Sequence, residues 1–163
     1  MKARRDNRFV AGRVAGIVPR ADSTITFIGV QNGHVEIVDV GQDLTTILSK
    51  SKHDLSDAYS EKAYHFAVRK DGGVLLTGMT NNDLSVAAFN RNGSLDTAFG
   101  EDGVAVVPIL SAKDYGYRLT VAEDGKVLVA GIANNGQNND FVVVRLKKDG
   151  SVDESFGNRG KVV

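Results

Sequence analysis

Histidine is the first residue type to consider, because it serves both as a metal ligand and as a general base near neutral pH. The sequence contains His34, His53 and His65, and none of them lies at the short spacing that brings two imidazoles onto one metal. His65 alternates with apolar neighbours, so we interpret it as a polar residue that faces a channel or solvent. The absence of cysteine excludes disulfides and thiolate chemistry. We therefore expect no catalytic residue, no metal and no cofactor.

Two Gly-Ser segments have the composition of calcium loops. Residues 149–153 read Asp-Gly-Ser-Val-Asp, but they lack the spaced ligands and the final glutamate of an EF-hand. The corresponding residues 92–96 begin with Asn instead of Asp. Side-chain oxygens that accept hydrogen bonds from nearby backbone amides explain both segments as turns. The sequence also lacks a nucleophile elbow, a phosphate-binding loop and a dinucleotide fingerprint, which favours a protein that is not an enzyme.

Amides, carboxylates and tyrosines in the predicted loops form the candidate binding site. These residues are His34, Asn81, Asn82, Asp83, Asn134, Asn135, Asn138, Asp140, Tyr59 and Tyr115. Amide groups beside an aromatic platform suit a sugar or a peptide ligand. The alternative is that asparagine recurs because tight turns require it.

The composition is that of a globular domain with a real core. The 163 residues are 42% hydrophobic and 25% charged, and the formal net charge is zero. A balanced charge gives no reason to expect a nucleic-acid partner. No apolar run approaches the roughly 18 residues of a membrane span, and the basic start is not followed by a signal-peptide core. The sequence leaves the cellular location open.

An internal repeat organises the chain. Residues 71–78 read Asp-Gly-Gly-Val-Leu-Leu-Thr-Gly, and residues 124–131, which lie 53 positions later, read Asp-Gly-Lys-Val-Leu-Val-Ala-Gly. A weaker first copy aligns Gly29 with Gly78 at an offset of 49. The last copy carries a four-residue insertion, Gly136 to Asn139. Repetition at such a period predicts an array of similar structural units.

Each unit has the pattern of four short strands joined by tight turns. We predict one repeat domain over residues 1–163, with units at about 14–48, 63–110 and 116–163. Residues 49–62 are predicted to be a connector.

Individual elements follow from the same pattern. We predict fourth strands at Leu44 to Leu48 and at Val104 to Leu110, with Pro108 on a sheet edge. The apolar runs Val74 to Met79 and Val127 to Ala130 predict inner strands that are covered on both faces. A spare strand at Phe9 to Ala11 and a short helix at Leu55 to Ala63 complete the prediction.

The repeated strings resemble the delta-60 repeat. They run from Asp124-Gly125 through Asn134-Asn135 and Asp140-Phe141 to Asp149-Gly150 and Phe156-Gly157. This family occurs mainly in bacterial proteins, is associated with β-propeller-like folds and has a largely undefined function. The resemblance implies an all-β fold of three four-stranded antiparallel meander blades, and it supplies no catalytic residues. In propellers, the loops between second and third strands share one face with the connectors, and that face would collect the candidate site.

Three blades are fewer than the roughly 4–8 of an ordinary propeller, so the ends of the array need cover. We expect two chains to form a six-bladed homodimer. The alternatives are that further repeats continue the array, or that the three sheets form a pseudo-threefold prism. The favoured function is a non-catalytic interaction or scaffold module that binds protein. A lectin-like module on a cell surface or phage particle, which would bind a glycan, and a hydrolase with a loop-face pocket are the alternatives.

Overall fold

The computed structural model describes residues 13–20, 22–31, 34–54 and 65–163, and these residues form three four-stranded antiparallel sheets. Within each sheet the strands follow the order of the chain, as in a meander. The described residues include no helix, and thus none that is long and apolar enough to cross a membrane. The predicted all-β array of three four-stranded sheets is confirmed.

Sheet 1 contains β1 (Arg13–Pro19), β2 (Ile25–Gln31), β3 (His34–Val40) and β4 (Ile47–Asp54). The prediction of a fourth strand at Leu44 to Leu48 was wrong in its bounds, and β4 extends through residues predicted to be a connector. The reason is a hydrogen-bonded turn before β4, which makes the strand begin later in the chain than predicted. Its Asp43 Oδ1 accepts hydrogen bonds from the amides of Thr45 (3.0 Å) and Thr46 (2.9 Å), and Leu44 has a φ of 55°.

Sheet 2 contains β5 (His65–Val68), β6 (Val74–Thr80), β7 (Asp83–Phe89) and β8 (Val104–Val107). Every residue of β6 is buried, which confirms the prediction that both of its faces are covered. The predicted strand at Val104 to Leu110 is too long, because β8 ends immediately before Pro108. Proline has no amide hydrogen to donate to a neighbouring strand. The amides of Ile109 and Leu110, which follow it, donate to the carboxylate of Asp114 instead.

Sheet 3 contains β9 (Tyr115–Val121), β10 (Val127–Asn134), β11 (Asn139–Leu146) and β12 (Lys161–Val162). The prediction that Val127 to Ala130 is covered on both faces was wrong. Burial in β10 alternates instead, with Val127 and Val129 buried, Leu128 partly exposed and Ala130 exposed. Sheet 3 is thus covered on one face only, because it stands at one end of the described stack.

The sheets stack in chain order, with sheet 2 between the other two. We name the face of a sheet that contacts the preceding sheet its head face, and the face that contacts the following sheet its tail face. The tail face of sheet 1 (Val18, Ile28, Val30, Val35, Ile37) packs on the head face of sheet 2 (Val74, Leu76, Ala87, Phe89). The tail face of sheet 2 (Leu75, Leu84, Val86, Ala88, Ala105, Val107) packs on the head face of sheet 3 (Leu119, Val127, Val129, Val142, Val144, Leu146).

These two apolar interfaces hold the stack together, since each fully buried Val, Leu or Phe contributes about 1.5–3 kcal/mol. The predicted strand at Phe9 to Ala11 and the predicted helix at Leu55 to Ala63 lie outside the described residues.

Candidate functional site

A surface cleft of about 620 Å³ lies beside the first two strands of sheet 3. We name it the tyrosine cleft. Its lining residues are Ala112, Lys113, Tyr115, Tyr117, Ile132, Asn134, Gly136 and Asn139. Two predicted site residues, Tyr115 and Asn134, therefore share one concave surface, and it combines aromatic rings, amide groups and one lysine.

A β-bulge places both tyrosines on the cleft. The pairing of β9 with β10 shifts between Ala130↔Arg118 and Gly131↔Gly116, so that Tyr117 is the extra residue. A Cβ atom on Gly131 would collide with the backbone oxygen of Tyr115, and only glycine allows this close approach. The rings of Tyr115 and Tyr117 are parallel within 2°, with centroids 5.9 Å apart. The bulge thus gives the cleft a pair of aligned aromatic rings.

A buried carboxylate fixes the connector that forms one wall of the cleft. Asp114 is fully buried, and its Oδ2 accepts hydrogen bonds from the amides of Ile109 (2.8 Å) and Leu110 (3.1 Å). Its Oδ1 accepts from the amide of Asn134 at 3.3 Å, and its own amide donates to the oxygen of Asn82 at 2.7 Å. Asp114 therefore joins the connector to two hairpins, one in sheet 2 and one in sheet 3.

The asparagines of the inserted loop bind mainly to one another. Asn135 Oδ1 accepts from the amides of Gln137 (2.9 Å) and Asn138 (3.0 Å), while its Nδ2 donates to Asn138 Oδ1 and to Asp140 Oδ2 (3.3 Å). Asn134 Nδ2 donates to the side chain of Asn139 at 2.6 Å. These bonds support the alternative interpretation for Asn135 and Asn138, which stabilise the loop conformation.

The other predicted site residues are placed apart from the cleft. Asn81 and Asn82 form the two-residue turn between β6 and β7, with φ angles of 51° and 72° that asparagine tolerates well. Asp83 follows, and burial together with the nearby Asp114 raises the pKa of its carboxyl group, an effect that Lys161 opposes. The turn accounts for the two asparagines without a ligand.

Two further residues of the candidate site do not join the cleft. His34 begins β3 in sheet 1, on the far side of sheet 2, where its register partners are Gln31 and Asp54. Tyr59 lies outside the described residues. The predicted loop-face site is thus only partly assembled.

His65 is placed differently from its interpretation as a residue facing a channel or solvent. It lies between sheets 2 and 3, where its Nδ1 accepts a hydrogen bond from the amide of Leu119 at 3.4 Å. Burial lowers its pKa, the nearby Arg118 lowers it further, and the bond from Leu119 opposes both effects.

The turns predicted at the Gly-Ser segments are confirmed. Asp149 Oδ1 accepts from the amide of Ser151 at 2.9 Å, and Asn92 Oδ1 accepts from the amide of Ser94 at 3.0 Å. Among the residues that the structure describes, no group of three or more His, Asp or Glu side chains is arranged to hold a metal ion.

The tail face of sheet 3 is the second surface of interest. The repeat assigns to it Leu128, Ala130, Ile132, Phe141, Val143 and Arg145, which correspond to Leu75, Thr77, Met79, Leu84, Val86 and Ala88 of sheet 2. Phe141 is 88% exposed, whereas Leu84 is fully buried. Ile132 belongs both to this face and to the tyrosine cleft, so that the two surfaces are continuous.

Four residues of these two surfaces were not among the predicted site residues: Tyr117, Ile132, Asn139 and Phe141. The alternation of Tyr117 with Leu119 gives no sign of the bulge, which decides the side of the strand on which Tyr117 lies. Phe141 could have been found from the repeat, because its counterpart Leu84 must be covered by a following unit.

One family model matches the chain, over residues 122–156, and its description is a β-propeller domain of unknown function. The matched segment runs from the turn before β10 to the turn after β11, which includes the inserted loop. No curated protein matches the chain. The match supports the description of the three sheets as a β-propeller-like array.

Proposed function

We propose that the chain is a non-catalytic β-propeller-like interaction module that binds a protein partner through the tail face of sheet 3. The observation that carries this proposal is the exposure of Phe141, 88%, at a repeat position where Leu84 is fully buried. The finer assignment of the repeats to the delta-60 family belongs to the same proposal and is supported by the recurring Asp-Gly and Phe-Gly segments.

The chemistry of the tail face suits a protein partner. Phe141 lies opposite Ile132 in the strand register, and Val143 lies opposite Ala130, so the apolar side chains form one continuous patch. Contiguous exposed apolar patches on folded proteins mark interaction sites, and aromatic residues are enriched at the centres of interfaces.

A charge placed in this patch tests the proposal. We expect the wild-type chain to associate in sedimentation velocity experiments, and we expect Phe141→Lys to abolish that association, because a lysine ammonium group resists desolvation in an apolar interface. The matched control is Val106→Lys, which replaces another exposed apolar residue (42% exposed) on sheet 2. Equal association of the Phe141→Lys variant and the wild type, or no association of the wild type, would refute a second copy of the chain as the partner on this face.

A glycan-binding function is the second candidate, and the tyrosine cleft favours it. Aligned aromatic rings can stack on the apolar face of a sugar ring, while the side chains of Asn134 and Asn139 lie beside them as hydrogen-bonding groups.

A glycan array separates this candidate from the first. Binding of the wild-type chain that is lost in Tyr115→Ala and kept in Val106→Lys would support a sugar site. An array without any bound glycan at high protein concentration would exclude the sugars tested.

A further inference from the structure

The fourth strands of sheets 2 and 3 differ in how far they extend along their neighbours. β8 pairs with four residues of β7, and the last of these pairs is Leu84↔Val107. β12 pairs with only two residues of β11, and its last pair is Val143↔Val162. Phe141 corresponds to Leu84 in the repeat. Among the described residues, Phe141 therefore has no cross-strand neighbour in the place that Val107 takes beside Leu84.

The backbone of β11 turns hydrogen-bonding groups toward this unpaired side. The amide of Arg145 donates to the oxygen of Gly160, and its oxygen accepts from the amide of Asp153, so both groups of Arg145 point away from β10. Backbone groups alternate in direction along a strand, and the pairing of β11 with β10 is regular throughout. The amides and oxygens of Phe141 and Asn139 therefore also point away from β10. We name this side of residues 139–141 the open edge.

The open edge borders the apolar patch of the tail face. Asn139 and Phe141 are both exposed, and the exposed fraction of Phe141 is 88%. The side chain of Phe141 lies on the tail face, while its backbone groups lie at the open edge. Unpaired strand edges pair readily with another chain. A chain that paired here would therefore contact the apolar patch as well.

Sheet 2 shows which side chain suits this place. Val107 lies opposite Leu84, is 2% exposed and belongs to the tail face of its sheet. Val106 points to the opposite face, because side chains alternate along a strand, and it is 42% exposed. An apolar, β-branched residue thus covers the counterpart of Phe141. A strand added to sheet 3 would place such a residue beside the Phe141 ring.

The open edge of a second copy fits this place poorly. Two registers pair Phe141 with an unpaired strand residue of an identical edge about a twofold axis. Pairing with Asn139 of the other copy would set two Asp140 carboxylates directly opposite each other, and like charges in that arrangement are destabilising. Pairing with Phe141 of the other copy would bring Asn139 against Val143, which already pairs with Val162. The edge therefore favours a segment of different sequence.

We propose that the open edge of β11 receives an extended, apolar segment of a protein partner as an additional antiparallel strand. The segment exchanges backbone hydrogen bonds with Phe141 and Asn139, and one of its apolar side chains lies on the tail face against the Phe141 ring. This inference rests on the proposed function, and it adds the chemistry of the partner. Backbone bonds supply the affinity of such contacts, and alternate side chains supply their specificity.

A blocked peptide with the sequence Thr-Val-Thr-Val-Thr tests the inference, because β-branched residues favour an extended chain. Hydrogen exchange of the isotope-labelled wild-type chain, at a concentration where sedimentation finds single chains, reports the added bonds. We expect the amides of Phe141 and Asn139 to exchange about tenfold more slowly when about nine-tenths of the chains carry peptide. The amides of Asp140 and Val142 face β10 already, so their exchange should not change.

Two methylated peptides provide the matched control. Methyl groups on the valine nitrogens remove the donors that would face Phe141 and Asn139, so we expect binding to be lost. A methyl group on the central threonine nitrogen, which would point away from β11, should leave binding intact. Equal effects of the two modifications would overturn the proposed pairing.

The Phe141→Ala variant tests the side-chain contact separately, because it keeps every backbone group of the open edge. We expect it to bind the peptide roughly tenfold more weakly, since the apolar surface of the ring is removed. Unweakened binding would overturn the contact between the segment and the tail face.

The outcomes distinguish this inference from the function on which it rests. If the peptide slows no amide of β11 up to its solubility limit while Phe141→Lys abolishes association, the added strand is overturned and the tail face remains a binding surface. If the peptide slows the amides of Phe141 and Asn139 while Phe141→Lys associates like the wild type, the open edge is supported and a second copy on the tail face is not.

Discussion

At the scale of the residue, Asp114 does most to shape the candidate site. Its buried carboxylate accepts hydrogen bonds from three backbone amides, those of Ile109, Leu110 and Asn134. These bonds bring the connector after β8 against the hairpin of β10 and β11. The tyrosine cleft exists because the connector is held in this position.

Replacing Asp114 by alanine would leave those amides without an acceptor. Each unsatisfied buried donor costs about 1–3 kcal/mol, so we expect Asp114→Ala to lower the free energy of unfolding by about 3 kcal/mol or more. Asp114→Asn keeps one acceptor oxygen and should lose less. Urea denaturation measures both, with the exposed Glu154→Ala as the control. Equal stability of Asp114→Ala and the control would show that the connector is held by other contacts.

His65 gives the interface between sheets 2 and 3 a dependence on pH. Because its pKa in the folded chain lies below the ordinary 6.5, the folded state binds fewer protons than the unfolded state in the window between those two values. Its contribution to stability is complete above pH 6.5 and decreases as the pH falls through that window. We expect His65→Gln to flatten this part of the pH profile, measured by urea unfolding at a series of pH values. A profile with the same slope as that of the wild type would contradict this role.

At the scale of the element, the strands and turns could be predicted from the sequence, and their surroundings could not. The Asp-Gly turns and the apolar runs placed β6 and β10 correctly within a few residues. These two strands have nearly the same sequence, but β6 is buried on both faces and β10 on only one. A local pattern reports which residues prefer burial, whereas the neighbouring sheet decides which are covered.

The residues of the candidate site could also be predicted only in part, because a local sequence pattern does not show the surroundings of a side chain. Asn81 and Asn82 were selected because amides bind ligands, but their positive φ angles show that they serve the turn. Tyr117 was missed because a bulge, which depends on the close approach at Gly131, moves it to the other side of the strand. Strand periodicity alone contains neither of these facts.

The equivalent residues Leu84 and Phe141 allow a matched test of whether the neighbouring sheet decides the stability that a side chain contributes. We expect Leu84→Ala to cost about 2–5 kcal/mol, since it removes a fully buried side chain between two sheets. Phe141→Ala should change the stability of the unassociated chain by less than about 0.5 kcal/mol, because the ring is exposed. Chemical denaturation of both variants at high dilution measures the contrast. Similar losses would mean that Phe141 is covered within its own chain.

At the scale of the whole molecule, the repeat produces a stack of sheets that has a direction, so its two ends present different faces. The apolar tail face at one end continues into the tyrosine cleft through Ile132, so partner binding at this end also decides access to the cleft. A chain that closes into a ring would restrict the cleft, and a glycan-binding chain would require it to remain open. Assembly and ligand binding are therefore linked through a single surface.

The molar mass of the wild-type chain in solution tests the central proposal most directly. Light scattering behind size-exclusion chromatography, repeated over a wide range of concentrations, gives this mass independently of shape. We expect a single species with twice the 17.4 kDa mass of one chain, which dissociates to that mass in Phe141→Lys. A wild-type species of 17.4 kDa at every concentration would contradict the association of sheet 3 with a second copy.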